Sequence, residues 1–165
     1  MRRLRRAHLD GPKEGSVAGY GGGTESHNVQ TAGTERFGAP ACITARTYMG
    51  RKGVINIEHS VDLAGSTQHK GVLGIEGFLR GQFSQEFPIS FSASITFEQN
   101  YMNVDGDSAS LAALCAILSS LAQQPIHQSV ALTGSVDQYG NVQAIGGVNE
   151  KIEGFFYLCK ERGLT

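Results

Sequence analysis

One strand, and the helix that follows it, constrain the fold of this chain most. Residues 89–97 alternate apolar and polar side chains without a break, which is the pattern of a half-buried β-strand. Apolar residues then recur at helical spacing until Pro125, which ends the helix; these residues are Leu111, Leu114, Cys115, Leu118 and Leu121. A strand and an amphipathic helix joined by a loop predict a helix packed on a sheet.

The loop between them, residues 104–111, reads Val-Asp-Gly-Asp-Ser-Ala-Ser-Leu. It places Ser108 at the start of the helix, where backbone N–H groups lack partners within the helix and the helix dipole presents its positive end. Such a place suits a bound anion or a developing oxyanion. Asp107 and Ser108 are also residue types that commonly cap helices. The loop alone leaves both uses open.

The rest of the pattern predicts a mixed α+β domain, or an α/β two-layer one. The predicted order is strand, strand, helix, long strand, helix, strand, strand, helix. Two hairpins are expected, one joining residues 41–47 to residues 53–61 and one joining residues 129–136 to residues 141–145. The first helix covers about residues 69–84, and the last follows Gly146-Gly147 with one apolar side formed by Ile152, Phe155, Phe156 and Cys159.

The composition is typical of a soluble cytoplasmic protein and gives no sign of a nucleic-acid, membrane or metal-binding protein. The 165 residues fit one domain, and the formal net charge of −1 gives no electrostatic case for nucleic acid or an anionic membrane as a partner. No apolar run is long enough to span a bilayer. The three cysteines lie far apart with no zinc-type spacing, so we expect reduced thiols and no metal site.

Residues 1–36 differ from the rest of the chain. They contain Gly21-Gly22-Gly23 and many charged residues, and their apolar residues follow neither a helical nor a strand period over any length. We therefore expect an irregular N-terminal arm over residues 1–36 and a folded domain over residues 37–165. A domain that lacked a first strand would leave a neighbouring strand edge unpaired.

A lysine in a second loop gives Ser108 a candidate partner. Lys151 follows Gly146-Gly147 and falls in the first turn of the last helix, where the helix dipole disfavours a cation. A serine hydroxyl needs a base to take its proton, and a lysine can be that base only when neutral. Glu150 and Glu153 oppose neutrality if they lie near. Thr133 lies on the strand that leads towards Lys151, and its hydroxyl could orient the amine.

Three segments resemble one known family. Residues 104–110, the strand Ala-Leu-Thr-Gly-Ser-Val at residues 131–136, and Ile-Gly-Gly-Val-Asn-Glu-Lys-Ile-Glu-Gly at residues 145–154 look like the proteolytic domain of the ATP-dependent Lon proteases, most closely the Lon-B-like branch. The resemblance runs from about Phe37 to Thr165. It implies the Lon proteolytic fold, which is related to the ribosomal-protein-like βαβ fold.

The resemblance also implies a mechanism. Ser108 would be the nucleophile, Lys151 the general base and Thr133 the hydroxyl that positions the lysine. Asp107 and Ala109 would border the oxyanion hole and the substrate groove, and Phe97-Glu98-Gln99 would line that groove without a catalytic role for Glu98. Unfolded or damaged proteins would be the substrates. ATP and Mg²⁺ would bind an ATPase domain joined in cis, and the whole protein would form a homo-oligomer, by resemblance a hexamer.

The chain departs from the family pattern in three respects. Residues 1–36 contain nothing like the family's first strand, the family continues beyond Thr165, and no G-x-x-x-x-G-K-[ST] motif is present. We therefore expect a C-terminally truncated domain without the ATPase. Two other classes remain open. One is a non-proteolytic Lon-like module of another ATPase; the other is a small-molecule kinase fold, which Asp105 and Asp107 disfavour because they would repel phosphate.

Overall fold

The structure is a computed structural model that describes residues 16–19, 29–32, 35–84, 90–127 and 130–163. Its described part is an α+β fold of short strands and four helices. The strands are β1 (Ser16–Gly19), β2 (Val29–Ala32), β3 (Glu35–Gly38), β4 (Ala41–Met49), β5 (Gly53–Asn56), β6 (Phe91–Glu98), β7 (Ala131–Leu132), β8 (Ser135–Val136) and β9 (Val142–Gln143). The helices are α1 (Ile57–Ser60), α2 (Ser66–Phe83), α3 (Ser110–Ala122) and α4 (Val148–Glu161).

A five-stranded sheet in the order β5-β6-β4-β1-β7 forms the frame of the fold. Its longest pairing is antiparallel, between β4 and β6, and runs from Cys42 opposite Glu98 to Met49 opposite Phe91. The alternation in β6 that the sequence predicted therefore serves a central strand. Helices α2 and α3 complete one apolar core with this sheet, and its fully buried large side chains include Ile43, Ile75, Leu79, Ile95 and Ile117.

The predicted first hairpin is wrong. Strand β6 lies between β4 and β5, so β5 pairs with β6 in parallel and does not pair with β4. The predicted second strand also ends early, because the Asn56 side chain accepts the His59 N–H and starts α1. The carboxylate of Glu58 in that helix then accepts the Phe97 N–H at 2.7 Å, in the place where a longer β5 would have paired with β6.

The prediction of an irregular arm over residues 1–36 is wrong for the part of it that the structure describes. Strand β1 pairs antiparallel with β4 and parallel with β7, so it fills the edge of β4 that would be unpaired without a first strand. Strands β2 and β3 pair with each other. Four-residue strands are held by backbone hydrogen bonds and need no long apolar period, which explains why the sequence pattern missed them. Residues 1–15, 20–28 and 33–34 of the arm lie outside the described residues.

The predicted helices are confirmed within a few residues. The second hairpin is confirmed where β8 pairs with β9, while the earlier part of its first predicted strand is β7, which pairs with β1. The buried faces predicted for α3 and α4 are confirmed only in part. On α3 the predicted Leu114 is buried, whereas Leu121 is exposed. The helix also buries small residues, among them Ala112 and Ala116. These let α3 lie close to β4, where the Ser120 hydroxyl bonds Thr47. On α4, Ile152 and Phe156 are exposed, and the buried side chains are Lys151 and Leu158.

The three cysteines are free thiols in the structure. No helix within the described ranges is both long and apolar enough to cross a bilayer. The described residues also contain no cluster of three or more side chains that could ligate a metal ion.

Candidate active site

The loop that carries Ser108 is fastened at its start to the beginning of α2. Val104 donates its N–H to the Leu63 carbonyl at 2.8 Å, and its own carbonyl accepts the Gly65 N–H at 2.7 Å. One Asp105 carboxylate oxygen then accepts the Thr67 and Gln68 N–H groups. Asp105 thus caps α2 from a distant part of the chain, which the N-cap residue Gly65 cannot do because it has no side chain.

The contact between Gly65 and Asp105 is close enough to exclude a side chain at position 65. A Cβ there would lie 2.5 Å from the nearer Asp105 carboxylate oxygen. Burial raises the pKa of Asp105, but the backbone N–H groups of Gly106, Gln68 and Thr67 outweigh that effect and hold its pKa below the usual value. The carboxylate is therefore ionised as a cap at neutral pH.

We expect Asp105→Ala to lower the free energy of unfolding by about 0.5–2 kcal/mol, the usual cost of a lost N-cap. Asp105→Asn keeps an oxygen acceptor and should lose less. Urea unfolding of the two variants beside the unsubstituted protein measures both differences. An Asp105→Ala protein with unchanged stability would show that the two bonds to α2 contribute nothing.

The segment between β7 and β8 holds the other side of the Ser108 loop. Gly134 donates its N–H to the Ser108 carbonyl at 2.9 Å, and its carbonyl accepts the Leu111 N–H at 3.1 Å. The Thr133 hydroxyl also donates to the Ser108 carbonyl, at 3.3 Å. A Cβ on Gly134 would lie 3.0 Å from the Leu111 side chain, so the small residue permits this close pairing. Ser108 is therefore fixed by backbone bonds from a neighbouring segment.

Lys151 reaches the same place from the first turn of α4. This helix begins after Gly147, whose φ of 66° lies in the left-handed region that favours glycine. The Lys151 side chain is buried, as is Ser108. Its Nζ lies 2.9 Å from Ser108 Oγ and 3.4 Å from Thr133 Oγ1. The structure thus brings together the three residues that the sequence singled out; their catalytic roles remain a prediction.

The surroundings of Lys151 shift the pKa of its amine downwards. Burial lowers the pKa of Lys151, and the nearby charges of Asp107 and Glu150 raise it by less, so the pKa falls below its ordinary value. Asp107 does not bond the lysine: one of its carboxylate oxygens accepts the Ser135 hydroxyl at 2.8 Å. A buried amine with a lowered pKa beside a hydroxyl is the arrangement that general-base catalysis requires.

The backbone at the start of α3 offers hydrogen-bond donors beside Ser108. Ser110 donates its N–H to the Asp107 carbonyl at 2.9 Å, and α3 begins there. Within the described part of the chain, no acceptor is bonded to the N–H groups of Ser108 and Ala109. Unpaired N–H groups at the start of a helix suit a developing oxyanion.

Sequence reasoning missed several residues that support the site. The sequence pattern did not single out Gly65, Gly134 or Ser135, because each acts through a partner that is distant along the chain. The buried carboxylate of Glu58 was missed as well, and it bonds the Thr96 hydroxyl and the Phe97 N–H near the end of β6. Glu98, which was given no catalytic role, accepts the Thr44 hydroxyl across the sheet.

Comparison with known proteins gives consistent similarities. Residues 90–155 match the family model of the Lon protease (S16) C-terminal proteolytic domain. The chain is 50% identical over 129 residues to a putative Lon protease homolog of Escherichia coli, with 78% of the chain and 22% of that protein covered. It is 46% identical over 129 residues to a putative Lon protease homolog of Haemophilus influenzae, with the same coverage. It is 33% identical over 141 residues to an archaeal Lon protease of Thermoplasma acidophilum, with 85% and 21% covered. The chain thus spans about a fifth of the length of these relatives.

Proposed function

We infer that the chain belongs to the Lon protease family, through the proteolytic domain that residues 90–155 match, and that it hydrolyses peptide bonds with a Ser108–Lys151 dyad. One observation carries the proposal: the buried Lys151 Nζ lies 2.9 Å from the buried Ser108 Oγ. Lysines are almost never fully buried without a partner, so such a contact with a hydroxyl is a strong sign of function.

Acylation begins with proton transfer. Neutral Lys151 takes the proton of the Ser108 hydroxyl while Oγ attacks the carbonyl carbon of the scissile bond. The carbonyl oxygen becomes an oxyanion, which the N–H groups of Ser108 and Ala109 stabilise at the start of α3. The Lys151 ammonium then gives its proton to the leaving amine, and the C–N bond breaks to leave an ester on Ser108.

Deacylation repeats these steps with water. Lys151, neutral again, takes a proton from a water molecule that attacks the ester carbonyl, and the ammonium returns that proton to Ser108 Oγ as the carboxylic acid product leaves. Thr133 keeps the amine aimed at Ser108, since its hydroxyl lies 3.4 Å from Lys151 Nζ and 3.3 Å from the Ser108 carbonyl.

We propose that the whole protein uses this site as the Lon family does. Its substrates would be unfolded or damaged proteins, delivered in the cytoplasm by an ATPase domain in cis that binds ATP and Mg²⁺. The protein would assemble as a homo-oligomer, a hexamer by resemblance. The family match and the relatives of similar sequence support these statements.

A serine-directed reagent tests the dyad without any protein substrate. A fluorophosphonate should react with the activated serine, because attack of Oγ on phosphorus displaces fluoride and leaves a stable phosphonate ester. We expect mass spectrometry to find the adduct on Ser108 and not on Ser110, whose buried hydroxyl accepts the Val136 N–H. Lys151→Ala should slow the labelling at least tenfold. Equal labelling of both serines, or a rate unaffected by Lys151→Ala, would contradict the proposal.

A further inference from the structure

Helix α4, which carries Lys151, buries few of its side chains. Among its side chains in the structure, only Lys151 and Leu158 are buried, while Ile152, Phe156 and Tyr157 are exposed. The described element against which α4 packs most is β3, the second strand of the β2–β3 pair. The position of this helix therefore depends on its contact with β3.

That contact is made by two glycines. A Cβ added to Gly154 would overlap the carbonyl group of Gly38, and a Cβ added to Gly38 would overlap the Glu150 carbonyl oxygen. The same added atom at Gly38 would lie 2.7 Å from the Lys151 Cα. The backbones of β3 and α4 thus touch directly behind Lys151, at a distance that no side chain other than hydrogen permits.

We propose that this glycine contact sets the position of Lys151 Nζ relative to Ser108 Oγ, which makes Gly38 and Gly154 positioning residues for the dyad. The inference rests on the proposed function. Gly154 lies one turn after Lys151 on α4, so the contact and the lysine share one side of the helix backbone. A change at the contact is transmitted to Lys151 without passing through the rest of the core.

The geometry gives the scale of the effect. An ordinary contact needs at least 3.4 Å, so a methyl group at Gly38 must be relieved by a movement of at least 0.7 Å, from 2.7 to 3.4 Å at the Lys151 Cα. If Nζ withdraws by the same 0.7 Å, its contact of 2.9 Å with Ser108 Oγ lengthens to about 3.6 Å and its contact of 3.4 Å with Thr133 lengthens further, so that neither is still a hydrogen bond. A misplacement of about 1 Å can cost an enzyme about a hundredfold in rate.

The test compares Gly154→Ala and Gly38→Ala with Gly81→Ala in the full-length protein. Gly81 lies near the end of α2 with nothing within 4 Å of an added Cβ, so it matches the chemical change of Gly154→Ala without a collision. Cleavage of labelled casein should show kcat lowered at least tenfold by the first two variants, with KM within twofold. Gly81→Ala should match the unsubstituted protein in both constants.

The pH profile separates positioning from a general loss of structure. Withdrawal of α4 exposes Lys151 to water, so the apparent pKa for Ser108 labelling by the fluorophosphonate should rise towards that of an ordinary lysine in Gly154→Ala. The melting transition should stay cooperative. An unchanged pKa and kcat in both glycine variants would overturn the inference, and so would outright unfolding, which would assign the contact to stability alone.

Two further variants distinguish failure of this inference from failure of the proposed function. If Ser108→Ala and Lys151→Ala abolish cleavage while Gly38→Ala and Gly154→Ala remain fully active, the proposed function is supported and the glycine contact has no positioning role. If Ser108→Ala or Lys151→Ala retains full activity, the proposed function itself is wrong.

Discussion

Ser108→Ala and Lys151→Ala should each lower the rate of peptide-bond cleavage by about three orders of magnitude or more. The physical reason is that each residue is useless without the other: the hydroxyl is a poor nucleophile without a base, and the amine has no other proton to take. The double variant should therefore be little worse than either single variant, because residues that act as one unit give strongly non-additive losses. Degradation of labelled casein by the full-length protein measures all three.

Matched controls separate loss of the dyad from loss of structure. Ser66→Ala changes an exposed serine at the start of α2, and Lys160→Ala changes an exposed lysine at the end of α4. Both should retain full activity. Circular dichroism should show a folded protein for every variant. Substantial turnover by Ser108→Ala would eliminate the mechanism, and additive losses in the double variant would mean that the two residues act in separate steps.

Cleavage should rise with pH through an apparent pKa below that of an ordinary lysine. The sign follows from the role of Lys151: below its pKa the amine is protonated and cannot accept the Ser108 proton, so the rate falls about tenfold per pH unit. Above the pKa the neutral base predominates and the rate levels off. The pKa of Lys151 is lowered because burial disfavours the charged form more than the charges of Asp107 and Glu150 favour it.

Lys151→Arg tests the same role without removing the positive charge. A guanidinium stays protonated across the accessible pH range, so we expect this variant to be inactive at every pH. Lys160→Arg on the exposed end of the same helix should leave both rate and pH profile unchanged. A flat pH profile for the unsubstituted protein, or an active Lys151→Arg variant, would mean that Lys151 does not act as a base.

Asp107 shows why the sequence could not decide the charge state of Lys151. It lies beside the nucleophile, and a charge there stabilises the ammonium form. In the structure its carboxylate is bonded by the Ser135 hydroxyl, so it acts on Lys151 only through space. Whether burial or the neighbouring charges have the larger effect on the pKa of Lys151 depends on distances between residues that are far apart in sequence.

The elements predicted most accurately were those with a strong local pattern. The alternation before residue 98 became β6, and the helix predicted over about residues 69–84 became α2, which buries Val72, Ile75 and Leu79. The buried faces of α3 and α4 were predicted only in part: Leu114 is buried on α3, but Leu121 on α3 and the large apolar residues Ile152 and Phe156 on α4 are exposed. In α3 the close approach to β4 selects alanine and serine, and in α4 the buried positions go to Lys151 and Leu158.

The sequence by itself identified Ser108 and Lys151 and predicted most of the helices and strands that carry them. This was possible because capping chemistry, apolar periodicity and the family motifs are local along the chain. Only the tertiary structure decided the strand order, the use of β1 to cover the edge of β4 and the contact of Gly38 with Gly154. These features arise from backbone groups that meet across long separations in sequence. A glycine in the sequence shows only that a side chain is absent. The backbone segment that it contacts is identified only in the folded structure.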